Sequence, residues 1–222
     1  MSIKLPIVDI VMTQAENQTQ RLIVRIATAE DVDSVDRLRI GAYKSATWFA
    51  AEDYQRLKMA SDPAGTIVFV AEPHDQPGRL LGTVAIAVSG DRPSLEKAVG
   101  ASLEGRELVF PCATVMRLAT SEDARGMSIN HILRACFVEK ALQDGWEFFC
   151  SSQAKGTPNI EAMKQLGYVF EEVPSTLMNT VKVADDSLML NWLRRRDYKD
   201  TLRKIYSYLT ARNAPRWELV AR

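Results

Sequence analysis

VMRLATSEDARGMSINHIL, residues Val115–Leu133, changes character twice and sets the reading of the whole chain. Its first five residues, Val115 to Ala119, have the makeup of a β-strand. The pattern breaks at Thr120, crosses a polar stretch from Ser121 to Met127, and becomes a helix beginning near Ser128. A helix start leaves several backbone N–H groups without partners and carries a partial positive charge. A strand end followed by a first helical turn therefore suits a phosphate-bearing ligand.

Outward from this passage, Ile129, Ile132, Leu133, Cys136, Phe137 and Leu142 recur at helical spacing as far as Gly145. Trp146 to Ser151 follows as a strand, Asn159 to Leu166 as a helix stopped by Gly167, and Tyr168 to Val173 and Met178 to Val183 as two strands. Towards the N-terminus, Leu108 to Ala119 reads as a strand bent near Pro111, since proline cannot serve a central ladder. Ser89 to Glu107 is an insertion around a short helix, Ser94 to Val99. Leu80 to Val88 and Thr66 to Ala71 form a hairpin with a long connection, and a helix is expected around Asp53 to Met59, before the turn SDPAG. Leu22 to Ile26 is the first strand. It leads into a helix with Glu30, Asp31 and Asp33 in its first turn and Val32, Val35, Leu38 and Ile40 on its apolar side. Residues 1–20 read as a mobile or loosely docked leader.

The 222 residues, 46% of them hydrophobic, suffice for one sizeable domain with its own core. Lys plus Arg and Asp plus Glu both number 28, so no excess positive charge points to nucleic acid. Cys112, Cys136 and Cys150 are widely spaced inside apolar runs, with no CxxC pair and two histidines in the chain. This argues against a zinc site or a disulfide framework and for buried free thiols in a reducing compartment. No stretch approaches the roughly 20 apolar residues of a membrane span, and no signal peptide is recognisable. A cytoplasmic protein without a metal is expected.

The segment ATSEDARGMSINHILRA resembles the acyl-CoA-binding loop of the Gcn5-related N-acetyltransferase (GNAT) superfamily. The family pattern is Arg or Gln, two residues, Gly, one residue, then Gly or Ala, between a strand and a helix. Arg125 takes the first place, and Ser128 and Asn130 stand where the family has its small residues. A left-handed conformation at Ser128 costs about 1–2 kcal/mol more than at glycine. The later run EAMKQLGYVFEE is similar to the family's ending, with Leu166, Gly167 and Tyr168 in place. Met163 occupies the position of the tyrosine that protonates the leaving thiolate in many members. Without it, another group supplies the proton or the thiolate leaves into water, which a thiol pKa of about 8.5 permits.

The resemblance implies an α/β (α+β) GNAT fold over residues 21–183, a mixed central sheet flanked by helices, with a helical C-terminal extension over 184–222. It also implies attack of a small-molecule amine on an acyl thioester. The family's strand before the loop lays its backbone along the pantetheine arm, and one N–H polarises the thioester carbonyl. Carried over, this points to Arg117, Leu118 and Ala119 for the arm, with Leu118 as the catalytic backbone position. Arg125, Gly126, Met127, Ser128, Ile129 and Asn130 fall to the phosphates. Glu107, near the start of the strand, is the candidate general base, directly or through water. Glu171 and Glu172 lie after the final helix, and for all three the preferred reading is a solvated carboxylate, since acidic residues at strand ends are common. His74 lies in an exposed turn, and His131, one turn into the helix, either meets a phosphate or faces solvent.

A second resemblance concerns the donor. VDRLRIGAYKSA, the long insertion and MRLAT are similar to the branch that takes long acyl chains from acyl-carrier protein, the N-acyl amino acid and acyl-homoserine-lactone synthases. It places Arg37, Arg39 and Tyr43 near the acceptor or acyl channel, unless the two arginines are the wet face of a helix. The branch's glutamate before Arg117 is absent. Ser187 to Leu193 and Asp200 to Leu209 are expected as helices. Arg194, Arg195 and Arg196 between them either meet an acidic partner such as a carrier protein or cap a helix end, and the tail covers the sheet or builds a homodimer interface. A competing reading is a non-catalytic member that binds a ligand or a protein.

Overall fold

The computed structural model describes residues 21–44, 51–155, 157, 159–173, 188–212, 214 and 216–220. The leader and the strand expected over Met178–Val183 lie outside them. The elements are β1 (Arg21–Ile26), α1 (Val32–Lys44), β2 (Ile67–Pro73), β3 (Gly82–Ser89), α2 (Arg92–Val99), β4 (Cys112–Thr120) and α3 (Ile129–Asp144). After these come β5 (Phe148–Ala154), α4 (Ile160–Gln165), β6 (Val169–Val173), β7 (Leu188–Arg194), α5 (Tyr198–Ala211) and β8 (Arg216–Val220). The strands form one mixed sheet in the order β6-β7-β5-β4-β3-β2-β1-β8, antiparallel except for β4 with β5 and β1 with β8.

Both faces of the sheet are covered, and the alternation along each strand divides the core. Phe69 and Ala71 of β2 pack with α3, α4 and α5, whereas Val68 and Val70 pack with Val35 and Leu38 of α1. Leu95 and Val99 of α2 extend the second face over Cys112, Phe148 and Leu190. Helix α3 is apolar nearly all round, with Ile132, Leu133, Ala135, Cys136, Phe137 and Val138 fully enclosed, so it forms the centre of the larger core. All three cysteines are free and buried. Burial lifts the thiol pKa of Cys112 to about 12 and those of Cys136 and Cys150 upward as well.

Three expectations are corrected. Leu188–Arg194 is a strand, not a helix, and it runs between β5 and β6, antiparallel to both. Leu188, Leu190, Asn191 and Leu193 are all buried, because an interior strand is covered on both faces and loses the alternation that marks a strand in sequence. The segment around Asp53–Met59 forms two 3₁₀ turns, Ala51–Leu57 and Met59–Ser61, in place of an α-helix. Helix α1 turns Arg39 inward, fully buried, while Arg37 stays exposed. Beyond α5, which matches the expected helix, β8 joins the sheet beside β1.

One buried ion cluster fixes the start of α1. Arg25 donates Nη1 and Nη2 to Asp31 at 2.7 and 2.8 Å and Nε to Glu72 at 2.8 Å, and Asp31 also accepts the Thr28 N–H at 2.7 Å. Hydrogen bonds from Arg25 hold Asp31 down at about 2. Burial pushes Glu72 upward, but Arg25 and the Gly78 N–H outweigh it and leave the group below its ordinary value. A depressed folded-state pKa stabilises the fold above the unfolded value and is lost as pH falls through the folded one. The Asp31 contribution, on the order of 2 kcal/mol, is therefore expected to vanish between about pH 4 and pH 2. Urea titrations across that range should show a flatter pH dependence for Asp31→Asn than for the wild-type chain.

Candidate active site

Strands β4 and β5 start together and then part. Their backbone register holds at Ala113 with Phe149. Two residues on, the Val115 N–H reaches the side-chain Oγ of Ser151 at 2.9 Å instead of a backbone carbonyl, which requires a wider gap than the usual 4.7–4.9 Å strand spacing. The C-terminal half of β4 thus has a free edge. Residues Val115 to Leu118 are half-buried there, between a buried start and a buried Ala119.

On its other side β4 carries a bulge. Thr83 pairs with Ala119 and Ala85 with Met116, so Val84 alone stands opposite both Arg117 and Leu118. The alternation of N–H directions reverses across it: Val115 donates towards β5, whereas Ser121 donates to Leu81 O on the β3 side. Arg117 and Leu118 are accordingly the two residues that the β3 ladder passes over. Arg117 has φ 53°, a left-handed conformation costing a non-glycine residue about 1–2 kcal/mol. Its side chain is ion-paired with Asp62 and donates Nη2 to Ser61 O at 3.1 Å.

At the top of β4 the chain turns into α3. The N–H groups of Ala124, Arg125 and Met127 are taken by Ser121, Glu122 and Ala124, and those of His131 and Ile132 by Ser128. Gly126, Ser128, Ile129 and Asn130 remain outside this backbone bonding, four donors around the start of α3. Ser128 has φ 62° and Gly126 φ 86°, so the serine adopts the conformation that glycine takes at no steric cost. The Arg125 side chain is half-exposed beside this turn. The first turn of α3 lies directly on β3, where a Cβ at Gly82 would come within 2.5 Å of Ile129 Cγ2 and 3.1 Å of Leu133 Cδ1. Gly82 went unnoticed in sequence, because a close approach between distant elements has no local signature.

Gln153 Nε2 on β5 and Asn159 Oδ1 at the start of α4 are buried without hydrogen-bond partners. Met163 is buried and offers no proton. Beside it Arg134, also buried, donates Nε to Asn130 Oδ1 at 2.9 Å, Nη1 to Tyr168 Oη at 3.3 Å and Nη2 towards Met163 Sδ at 3.4 Å. The signal for Arg134 in sequence was a charge set inside the apolar run ILRACFV.

The structure brings Arg117, Leu118 and Ala119 to the free edge and Arg125 to Asn130 to the helix start. It does not bring Glu107 to them. That residue is exposed in the loop before β4, and its neighbour Arg106 is ion-paired with Glu171 on β6, with β7 and β5 intervening. Glu172 pairs with Lys155. Tyr43 is half-buried on α1, and Arg39 is enclosed, bonded to Leu57 O and Asp62. His131 is neither exposed nor charged: it stacks on Tyr208 at 4.1 Å, and burial, Arg134 and Arg212 lower its pKa to about 4. All three residues of the arginine corner are exposed; Arg195 pairs with Glu147 and donates to the Gly145 carbonyl. No metal-binding cluster occurs among the described residues, and no helix there is long and apolar enough to cross a membrane.

No family model matches the sequence, and no curated protein does. Solved structures do match in three dimensions. BjaI, a CoA-dependent acyl-homoserine lactone synthase solved with SAM and isopentyl-CoA, overlays with a TM-score of 0.58 over 90% of this chain and 94% of its own, at 13% identity. FeeM, an N-acyl amino acid synthase from uncultured soil microbes, gives 0.56 over 86% and 99%, at 16% identity. A GCN5-related N-acetyltransferase from Kribbella flavida gives 0.53 over 78% and 97%, at 17%. The chain has the GNAT fold.

Two substitutions test the local geometry. Gly82→Val should destabilise the fold by about 1–3 kcal/mol in chemical unfolding, because Ile129 has to move. Ser128→Gly should stabilise it by up to about 1 kcal/mol, since the left-handed position no longer opposes a Cβ.

Proposed function

We propose that the chain is an N-acyltransferase that moves an acyl group from acyl-CoA to a small-molecule amine by direct attack. The observation that supports this best is the coincidence, on one strand, of a bulge presenting two unladdered residues to a parted edge and of four open N–H groups at the following helix start. A thioester needs both at once: a donor for its carbonyl oxygen and an anion site some distance along the arm.

In this reading the pantetheine lies along Arg117, Leu118 and Ala119, and the pyrophosphate lies on Arg125, Gly126, Met127, Ser128, Ile129 and Asn130. The amine nitrogen forms its bond to the thioester carbon, and the oxyanion is held by the Leu118 N–H. Collapse of the tetrahedral species breaks the C–S bond and releases the thiolate, which takes its proton from water in the absence of a tyrosine at 163. The amine proton leaves to water, since Glu107 lies exposed in the loop before β4 and away from the parted edge. Arg39 and Tyr43 lie on the acceptor side, Arg39 acting from behind the wall. The sequence resemblance to the branch that takes acyl chains from acyl-carrier protein motivates that protein as a second donor, whereas the acyl-homoserine lactone synthase among the neighbours is CoA-dependent. The buried thiols suit a cytoplasmic setting, and a homodimer through the C-terminal segment completes the proposal.

Calorimetry with acetyl-CoA, longer acyl-CoAs and an acyl-carrier protein tests it. An acyl-CoA is expected to bind, and Arg125→Ala is expected to weaken that binding about tenfold by removing a charge beside the phosphates. Binding of the carrier protein alone would select the second donor, and an unchanged dissociation constant in the variant would remove the loop from the site. Failure of every donor to bind would leave the fold as a ligand- or protein-binding module.

A further inference from the structure

Resting on the acyl-transfer reading, we propose that Asp62 and Arg39 are positioning residues for the bulge: they hold Arg117 in its left-handed conformation and so keep the Leu118 N–H aimed at the parted edge. The bulge residue is an arginine, not a glycine, so the conformation has to be secured by something other than backbone freedom. What secures it is the far end of its own side chain. Arg117 is largely buried and reaches the second 3₁₀ turn, where it is ion-paired with Asp62 and donates to Ser61 O at 3.1 Å.

Asp62 is in turn fixed from behind. Its carboxylate, 6% exposed, accepts from Arg39 Nη1 at 3.0 Å, and the same nitrogen donates to Leu57 O at 3.1 Å. Arg39 is rooted in α1, whose Val35 and Leu38 lie in the core against β2, β3 and β4. Asp36, one turn earlier, accepts the Met59 N–H at 2.7 Å and fastens the 3₁₀ turn to the same helix. The path runs from α1 through Asp62 to Arg117 and ends at the backbone that faces the thioester. Two buried guanidiniums share one carboxylate here, and burial together with the Arg39 charge lowers the Arg117 guanidinium to about 10. Removing the carboxylate therefore turns an anchor into a repulsion between Arg39 and Arg117.

The test combines turnover with hydrogen exchange of the peptide 112–121. Asp62→Asn is expected to lower kcat by at least about tenfold, as a misplaced oxyanion donor does, and to speed exchange in that peptide. The acyl-CoA dissociation constant should stay within about threefold, because the α3 start is untouched. In an Arg117→Gly background, where positive φ needs no anchor, Asp62→Asn should no longer change the exchange. Should Asp62→Asn fail to fold, Arg39→Met serves the same comparison, since it removes the Nη1 that bonds both Asp62 and Leu57 O. An unchanged kcat and exchange would overturn the proposal, as would an equal effect in the glycine background or a change confined to the acceptor KM. If the wild-type chain transfers no acyl group, the acyl-transfer reading fails by itself, and the exchange comparison still decides whether Asp62 holds the bulge.

Discussion

At Arg117 the β4 backbone serves two incompatible neighbours. On one side it must stay in register with β3, and on the other it must leave β5 after Ala113. One extra residue set against Val84 meets both demands, since a bulge sharpens the local twist and turns a strand without ending it. The left-handed conformation that results is unfavourable for an arginine, and the fold around it supplies the compensation through Asp62 and the turn before β2. The parted edge, the reversal of N–H directions and the route into the α3 loop all follow from this local conflict.

A second constraint lies at the start of α3. There Ile129 and Leu133 rest on Gly82, so the helix begins as close to the sheet as backbone contact allows. This seating fixes where the open N–H groups of residues 126 and 128 to 130 point relative to β4, and Ser128 takes up a strained φ to permit it. The two strained residues of the described chain, Arg117 and Ser128, both belong to the candidate site. Strain held by surrounding packing is a recurrent property of functional backbone. Neither residue gains stability for the fold from its conformation.

The candidate site is built mostly from main chain. Backbone N–H groups line the parted edge and the α3 start, and the buried side chains beside them, Arg39, Asp62 and Arg134, bond to other protein groups. A backbone N–H persists under almost any side chain, provided that its φ and ψ are maintained by packing elsewhere.

Much of this was legible in the chain itself. The strand–loop–helix passage at Val115–Leu133, the apolar face of α3, the short helix after Asp91 and the helix ending at Gly145 follow from periodicity and capping, which are local and repeat every two or 3.6 residues. The placement of the bulge, the inward turn of Arg39, the close seating at Gly82 and the interior position of β7 were decided by the tertiary structure. Each depends on which distant segment lies alongside. A strand covered on both faces looks like any apolar run, and an arginine on a helix is buried or wet according to whether an aspartate arrives from another part of the chain. Local pattern specifies which elements form and which faces are apolar; the register and pairing that aim individual N–H groups arise only when those elements meet.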